Sequence, residues 1–132
     1  MDKARLDLEM QLIRSHYPEV ELHSFPYWIR IPNWRIPETI WDRDTVSLCL
    51  QIPENLPGQA PYGFYVAPAD LRTKDGSNPD SAQLASDTPF GGTWLKFSWA
   101  AQDWRPAADL KKGSNLLNFL NSILNSWGKM TG

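Results

Sequence analysis

Three prolines set between two apolar segments constrain this chain more than any other feature: residues 45–66 read TVSLCLQIPENLPGQAPYGFYV. Val46, Leu48 and Leu50 alternate with Ser47, Cys49 and Gln51, the period of two expected of a strand with one buried face. Pro53, Pro57 and Pro61 have no amide hydrogen to give to a sheet ladder, and each holds φ at about −65°. The residues between them therefore form a stiff link too long for a tight hairpin. A second strand follows at Phe64-Tyr65-Val66.

The flanking segments supply helices and further strands. Leu6, Met10, Ile13 and Tyr17 recur at helical spacing, with Lys3, Arg5, Asp7, Glu9 and Arg14 left on other faces, so residues 2–16 read as an amphipathic helix. Asp2 suits its amino-terminal cap, and Tyr17-Pro18 stops it. Residues 20–36, aromatic and β-branched but broken by Pro26 and Pro32, read as two strands or one long bent strand. Residues 70–90 are polar and show neither period, which predicts a long loop of functional length. After Pro106 a turn or short helix ends near Lys112-Gly113. Ser114 then caps a last helix whose apolar stripe is Leu116, Leu117, Leu120, Ile123, Leu124 and Trp127, stopped by Gly128, with a frayed tail at 129–132.

The expected fold is therefore α+β: an antiparallel meander packed against an amino-terminal helix and carboxy-terminal helices, in a single domain over residues 1–132. A length of 132 residues suits one core. No apolar run approaches the roughly 18 residues needed to span a membrane, and the charged amino terminus lacks the apolar region of a signal peptide, so the expectation is a cytoplasmic chain away from membranes. A net charge of −2 offers no general attraction to nucleic acid. One cysteine excludes an internal disulfide, and His16 and His23 stand outside any ligand cluster, so neither metal nor cofactor is expected.

Several motifs resemble the ubiquitin-conjugating enzyme (UBC) superfamily. Leu56-Pro57-Gly58-Gln59-Ala60-Pro61 resembles its Tyr-Pro-x-x-x-Pro loop, with Leu in place of Tyr, and Trp104-Arg105-Pro106 sits where that family has Trp-Ser-Pro. The stretches at residues 63–68 and 94–99 are similar to those of a divergent prokaryotic branch, and the likeness covers most of residues 45–109. That branch is associated with bacterial operons carrying ubiquitin-like proteins and activating enzymes. The resemblance thus implies a component of a bacterial ubiquitin-like conjugation system, partnered by a ubiquitin-like protein and a ThiF-like adenylyltransferase. The alternative it implies is a non-catalytic interaction module of RWD or UEV kind.

The resemblance also places the site. Counting back from Trp104, the family's catalytic cysteine falls at about Lys96, and no His-Pro-Asn triplet occurs in the chain. Cys49 lies in a strand pattern and reads as a structural residue. Ser98 is then the candidate to take an acyl group as an oxyester, although a serine hydroxyl needs a positioned base, for which Asp103, Lys96 and Asp70 are the candidates. Alternation would put Trp94, Lys96 and Ser98 on an exposed functional face and Leu95, Phe97 and Trp99 on the core face. Trp94, Lys96, Asp103 and Arg105 are the candidate binding residues. By resemblance, Lys3 and Arg5 on the basic edge of the first helix join them as contacts for the activating enzyme.

Overall fold

The computed structural model describes residues 2–127; the stop expected at Gly128 and the tail expected at 129–132 lie outside the described residues. Helix α1 spans Lys3–His16, with Leu6, Met10 and Ile13 buried along one stripe and the Asp2 carboxylate accepting the Arg5 amide at 3.1 Å. It ends at Tyr17, the residue that Pro18 holds out of helical backbone.

Six strands follow: β1 (Glu21–His23), β2 (Trp28–Arg35), β3 (Thr45–Gln51), β4 (Tyr62–Ala67), β5 (Gln83–Ala85) and β6 (Trp94–Ala100). They form one sheet in the order β1-β2-β3-β4-β6-β5, every neighbouring pair antiparallel. Residues 52–61 hold no strand, as their prolines require. Pro32 is accommodated within β2 at an irregularity, where Pro32 and Asn33 stand opposite Ser47, whose hydroxyl donates to the Pro32 carbonyl at 3.0 Å. The segment expected to be loop at 70–90 contains β5, an edge strand of three residues made by pairing with β6. Three residues are too few for a period to show in sequence.

Helix α2 spans Leu116–Ser126, preceded by a 3-10 turn at Leu110–Lys112 where a turn or short helix is expected. Its cap is Asn115 and not Ser114. Asn115 Oδ1 accepts the Asn118 amide at 2.8 Å and Asn118 Oδ1 accepts the Asn115 amide at 3.1 Å, a reciprocal box. The Ser114 hydroxyl is turned back to accept the Arg105 amide at 2.9 Å.

Both helices pack on one face of the sheet. Leu6, Met10 and Ile13 of α1 and Phe119, Leu120 and Ile123 of α2 share a core with Ile29, Leu48, Phe64 and Phe97. Trp127 closes its far end, its ring 4.7 Å from Trp41 and 5.0 Å from Phe97 between centroids.

A buried ion pair joins the helices. Arg5 Nε lies 3.0 Å from Glu9 Oε2, both side chains enclosed, while Glu9 Oε1 accepts the Leu116 amide at the start of α2 at 2.9 Å. Arg5 also donates to the carbonyls of Ala107 and Ser114. Arg5 is thus not on an exposed basic edge: the returning segment 107–116 covers it. Removing one member of such a pair leaves an uncompensated buried charge, a cost of about 3–5 kcal/mol. Glu9→Ala is expected to lower the unfolding free energy by that amount in urea titration; a loss below about 1 kcal/mol would contradict the pair's role in fixing α2.

Candidate functional site

The site begins with a defect in the ladder. Tyr62 pairs with Ala100 and Phe64 with Phe97, so Gly63 alone stands opposite both Ser98 and Trp99. This is a β-bulge, a device that re-aims side chains. Gly63 has φ +76°, and a Cβ there would stand 3.0 Å from the Phe97 carbonyl oxygen, so glycine is favoured on both counts.

Ser98, at the bulge, is exposed and lines two depressions. One, of about 160 Å³, lies between β6 and the turn carrying Asp80 and Ser81, over Trp41 and Trp127. The other, of about 320 Å³, is walled by Gln102 and by Ser122 and Ser126 of α2. Trp99 forms part of both, its Nε1 donating to Ser122 Oγ at 3.2 Å, and Ser122 donating in turn to the Phe119 carbonyl at 2.7 Å. Hydroxyls, one carboxylate and indole walls thus meet around Ser98, an arrangement able to hold a polar, extended chain beside its hydroxyl.

The sequence brought forward other carboxylates. Asp103 pairs with Arg105, Oδ1 to Nε 2.7 Å, and both side chains are largely in solvent. Asp70 pairs with Arg43 at 2.9 Å. Asp80, which shares a depression with Ser98, was not among the candidates; it sits in a turn where no period marks it, beside Ser81 at φ +61°. Neither histidine lines either depression.

Trp94 is placed otherwise than expected. It is 3% exposed, packed with Trp28, Cys49 and Tyr65 on the sheet face opposite the helices, and its Nε1 donates to the Gly91 carbonyl at 2.7 Å. Alternation does put it on the same side as Lys96, but the chain ahead of β6 folds back over that side. Lys96 stays exposed, its Nζ 5.5 Å from the Tyr65 ring centroid. Lys3, exposed on α1, lies with its Nζ 5.4 Å from the Tyr27 ring centroid.

Cys49, the one thiol of the chain, is 0% exposed, and burial pushes it far above the ordinary thiol range, opposite to the thiolate a nucleophile needs. Among the described residues no group of three or more His, Cys, Asp or Glu side chains could hold a metal ion. No helix among the described residues is long and apolar enough to cross a membrane.

Two of the stretches that carry the resemblance meet in space: Trp104 Nε1 donates to the Pro57 carbonyl at 2.8 Å, tying the Trp-Arg-Pro turn to the proline link. Gly63→Ala is expected to cost about 1–2 kcal/mol in thermal or urea unfolding through left-handed strain and the Phe97 contact. It is also expected to shift the amide resonances of Ser98 and Trp99; unchanged stability and spectra would contradict the bulge.

Comparison with curated proteins and with solved structures returns no match. The sequence model of the family described as Prokaryotic E2 family E matches residues 14–123, a span holding all six strands, the bulge and most of α2. The chain belongs to that prokaryotic E2 family, a UBC-like group tied to ubiquitin-like protein conjugation.

Proposed function

We propose that the protein receives the activated carboxy terminus of a ubiquitin-like protein on Ser98 as an oxyester and passes it on, working with a ThiF-like adenylyltransferase in a bacterial conjugation system. The observation that carries this reading is the contrast between the two nucleophiles: Cys49 is enclosed and held protonated, whereas Ser98 is open, set on a bulge and flanked by two depressions. Family membership supports the general class of partner, a ubiquitin-like protein and its activating enzyme.

In this reading Ser98 Oγ attacks the acyl carbonyl carried by the activating enzyme. A C–O bond forms, the bond to the carrier breaks, and the hydroxyl proton passes to a base. Asp80 is the carboxylate sharing the depression and is the candidate base. Lys96 and Arg105 are exposed and of the sign to meet an acidic partner surface; Asp103 tethers Arg105. Trp94 acts from beneath, holding the residues ahead of β6 through its bond to Gly91. Lys3 is the remaining exposed cation of α1 proposed for the activating enzyme, since Arg5 is engaged internally.

A second reading, a non-catalytic RWD or UEV-like module, is favoured by one observation: the depressions around Ser98 contain no histidine to serve as base. Intact mass after incubation with the activating enzyme, the ubiquitin-like protein and ATP separates the two. The oxyester reading expects an adduct that survives thiol, is released by hydroxylamine and is absent in Ser98→Ala. A stable complex with no adduct would establish the binding module instead, and a thiol-labile adduct would move the chemistry to Cys49.

A further inference from the structure

Helix α1 carries a second stripe, turned away from the core. Its buried side is Leu6, Met10 and Ile13, whereas Ala4, Leu8, Gln11 and Ser15 follow one another along its exposed side at spacings of four, three and four. That is the spacing of a helix seam that meets another helix. Leu8, at its centre, is 47% exposed. Beside it the segment returning along α1 leaves a depression of about 400 Å³, with Gln11 and the half-buried Leu12 on the helix bank and Ala108 and the half-buried Leu110 on the other.

The charges beside the seam say what covers it. Asp7 and Arg14 stand on one flank, seven residues or about 10.5 Å apart along the axis, both exposed. Among the described residues neither makes an ion pair or a side-chain hydrogen bond. In two antiparallel helices related by a twofold axis, like flanks meet, so residues one heptad apart face each other across the seam. Asp7 of each copy is then set against Arg14 of the other, and the pair forms twice. A parallel pair would match neither charge.

The same register sets Leu8 level with Gln11 of the other copy, over the depression that Gln11 and Leu12 line. Ala4 falls level with Ser15, and both are small enough to let the axes approach to the roughly 8–10 Å of packed helices. We propose that this side of α1 is the interface of a homodimer, in which two copies join through antiparallel α1 helices and Leu8 of each enters the depression between Leu12 and Leu110 of the other. Exposed ion pairs add little energy, so the apolar contact supplies the affinity and the two charge pairs fix the orientation. Asp109 and Lys111, of opposite sign, border the far bank and leave it without net charge. Lys3, its Nζ 5.4 Å from the Tyr27 ring centroid, stays outside the seam. The interface is separate from Ser98 and does not depend on any acyl transfer there. One helix wide, it lies at the small end of specific interfaces, which sets the dissociation constant at roughly the micromolar scale or above.

Sedimentation equilibrium of the full chain, from micromolar to millimolar concentration at low salt, tests this. The wild type is expected to rise with concentration from 15.1 kDa toward twice that mass. Leu8→Asp, at an exposed position that the fold does not need, is expected to raise the dissociation constant at least about tenfold. Asp7→Arg and Arg14→Asp are each expected to weaken the dimer about threefold or more, by setting like charges together, and the double variant Asp7→Arg/Arg14→Asp to restore the wild-type constant. That rescue is peculiar to antiparallel pairing in this register. A wild type monomeric throughout, a dimer indifferent to Leu8→Asp, or a double variant no tighter than the single ones would overturn the proposal.

Discussion

The buried pair between Arg5 and Glu9 is the interaction on which the arrangement rests. A carboxylate with no solvent contact is tolerable only if its charge and lone pairs are met, and Glu9 meets both needs at once, with Arg5 on one oxygen and the first amide of α2 on the other. Because the partners come from opposite ends of the sequence, this one group fixes where α2 begins. The start of α2 in turn sets Ser122 and Ser126 beside β6, and with them one wall of the depression at Ser98. The charge that secures the fold thus also positions the candidate chemistry.

The sheet is used on both faces, differently. On one, two helices and a cluster of indoles form a closed core. On the other, a smaller aromatic patch is covered by the chain's own loop. The bulge opposite Gly63 lies at the end of β6 between these regimes, where strict alternation breaks and Ser98 sits with neighbours from α2 and from the turn at Asp80. The chain's one thiol belongs to the covered patch, while a hydroxyl occupies the open end of the strand.

Much of this was legible in the sequence, for reasons that can be assigned. The α1 stripe, the β3 alternation and the proline link rest on strong local preferences, and the structure follows them closely. The family, too, was legible from short motifs, whose meaning becomes physical when Trp104 is found bonded to Pro57. What escaped depended on distant partners. Arg5 and Glu9 stand four apart, a spacing that signals a pair, but only segment 107–116 makes that pair buried. Trp94 shares a strand face with the exposed Lys96, and only the return of Phe90 distinguishes them. The bulge escaped because the expected strand began at Phe64, leaving Gly63 outside it, and which residues face that glycine depends on register, which sequence alone does not fix. The cap passed from Ser114 to Asn115 because Asn118 could reciprocate.

Whether Ser98 Oγ carries the acyl group is decided by peptide mapping of the charged protein. Tryptic cleavage after Lys96 and Lys111 yields the peptide of residues 97–111, FSWAAQDWRPAADLK, in which Ser98 is the one hydroxyl-bearing side chain. Tandem mass spectrometry is expected to find the carboxy-terminal remnant of the ubiquitin-like protein on Ser98 in this peptide. A remnant on Cys49, or on any residue outside this peptide, would contradict it.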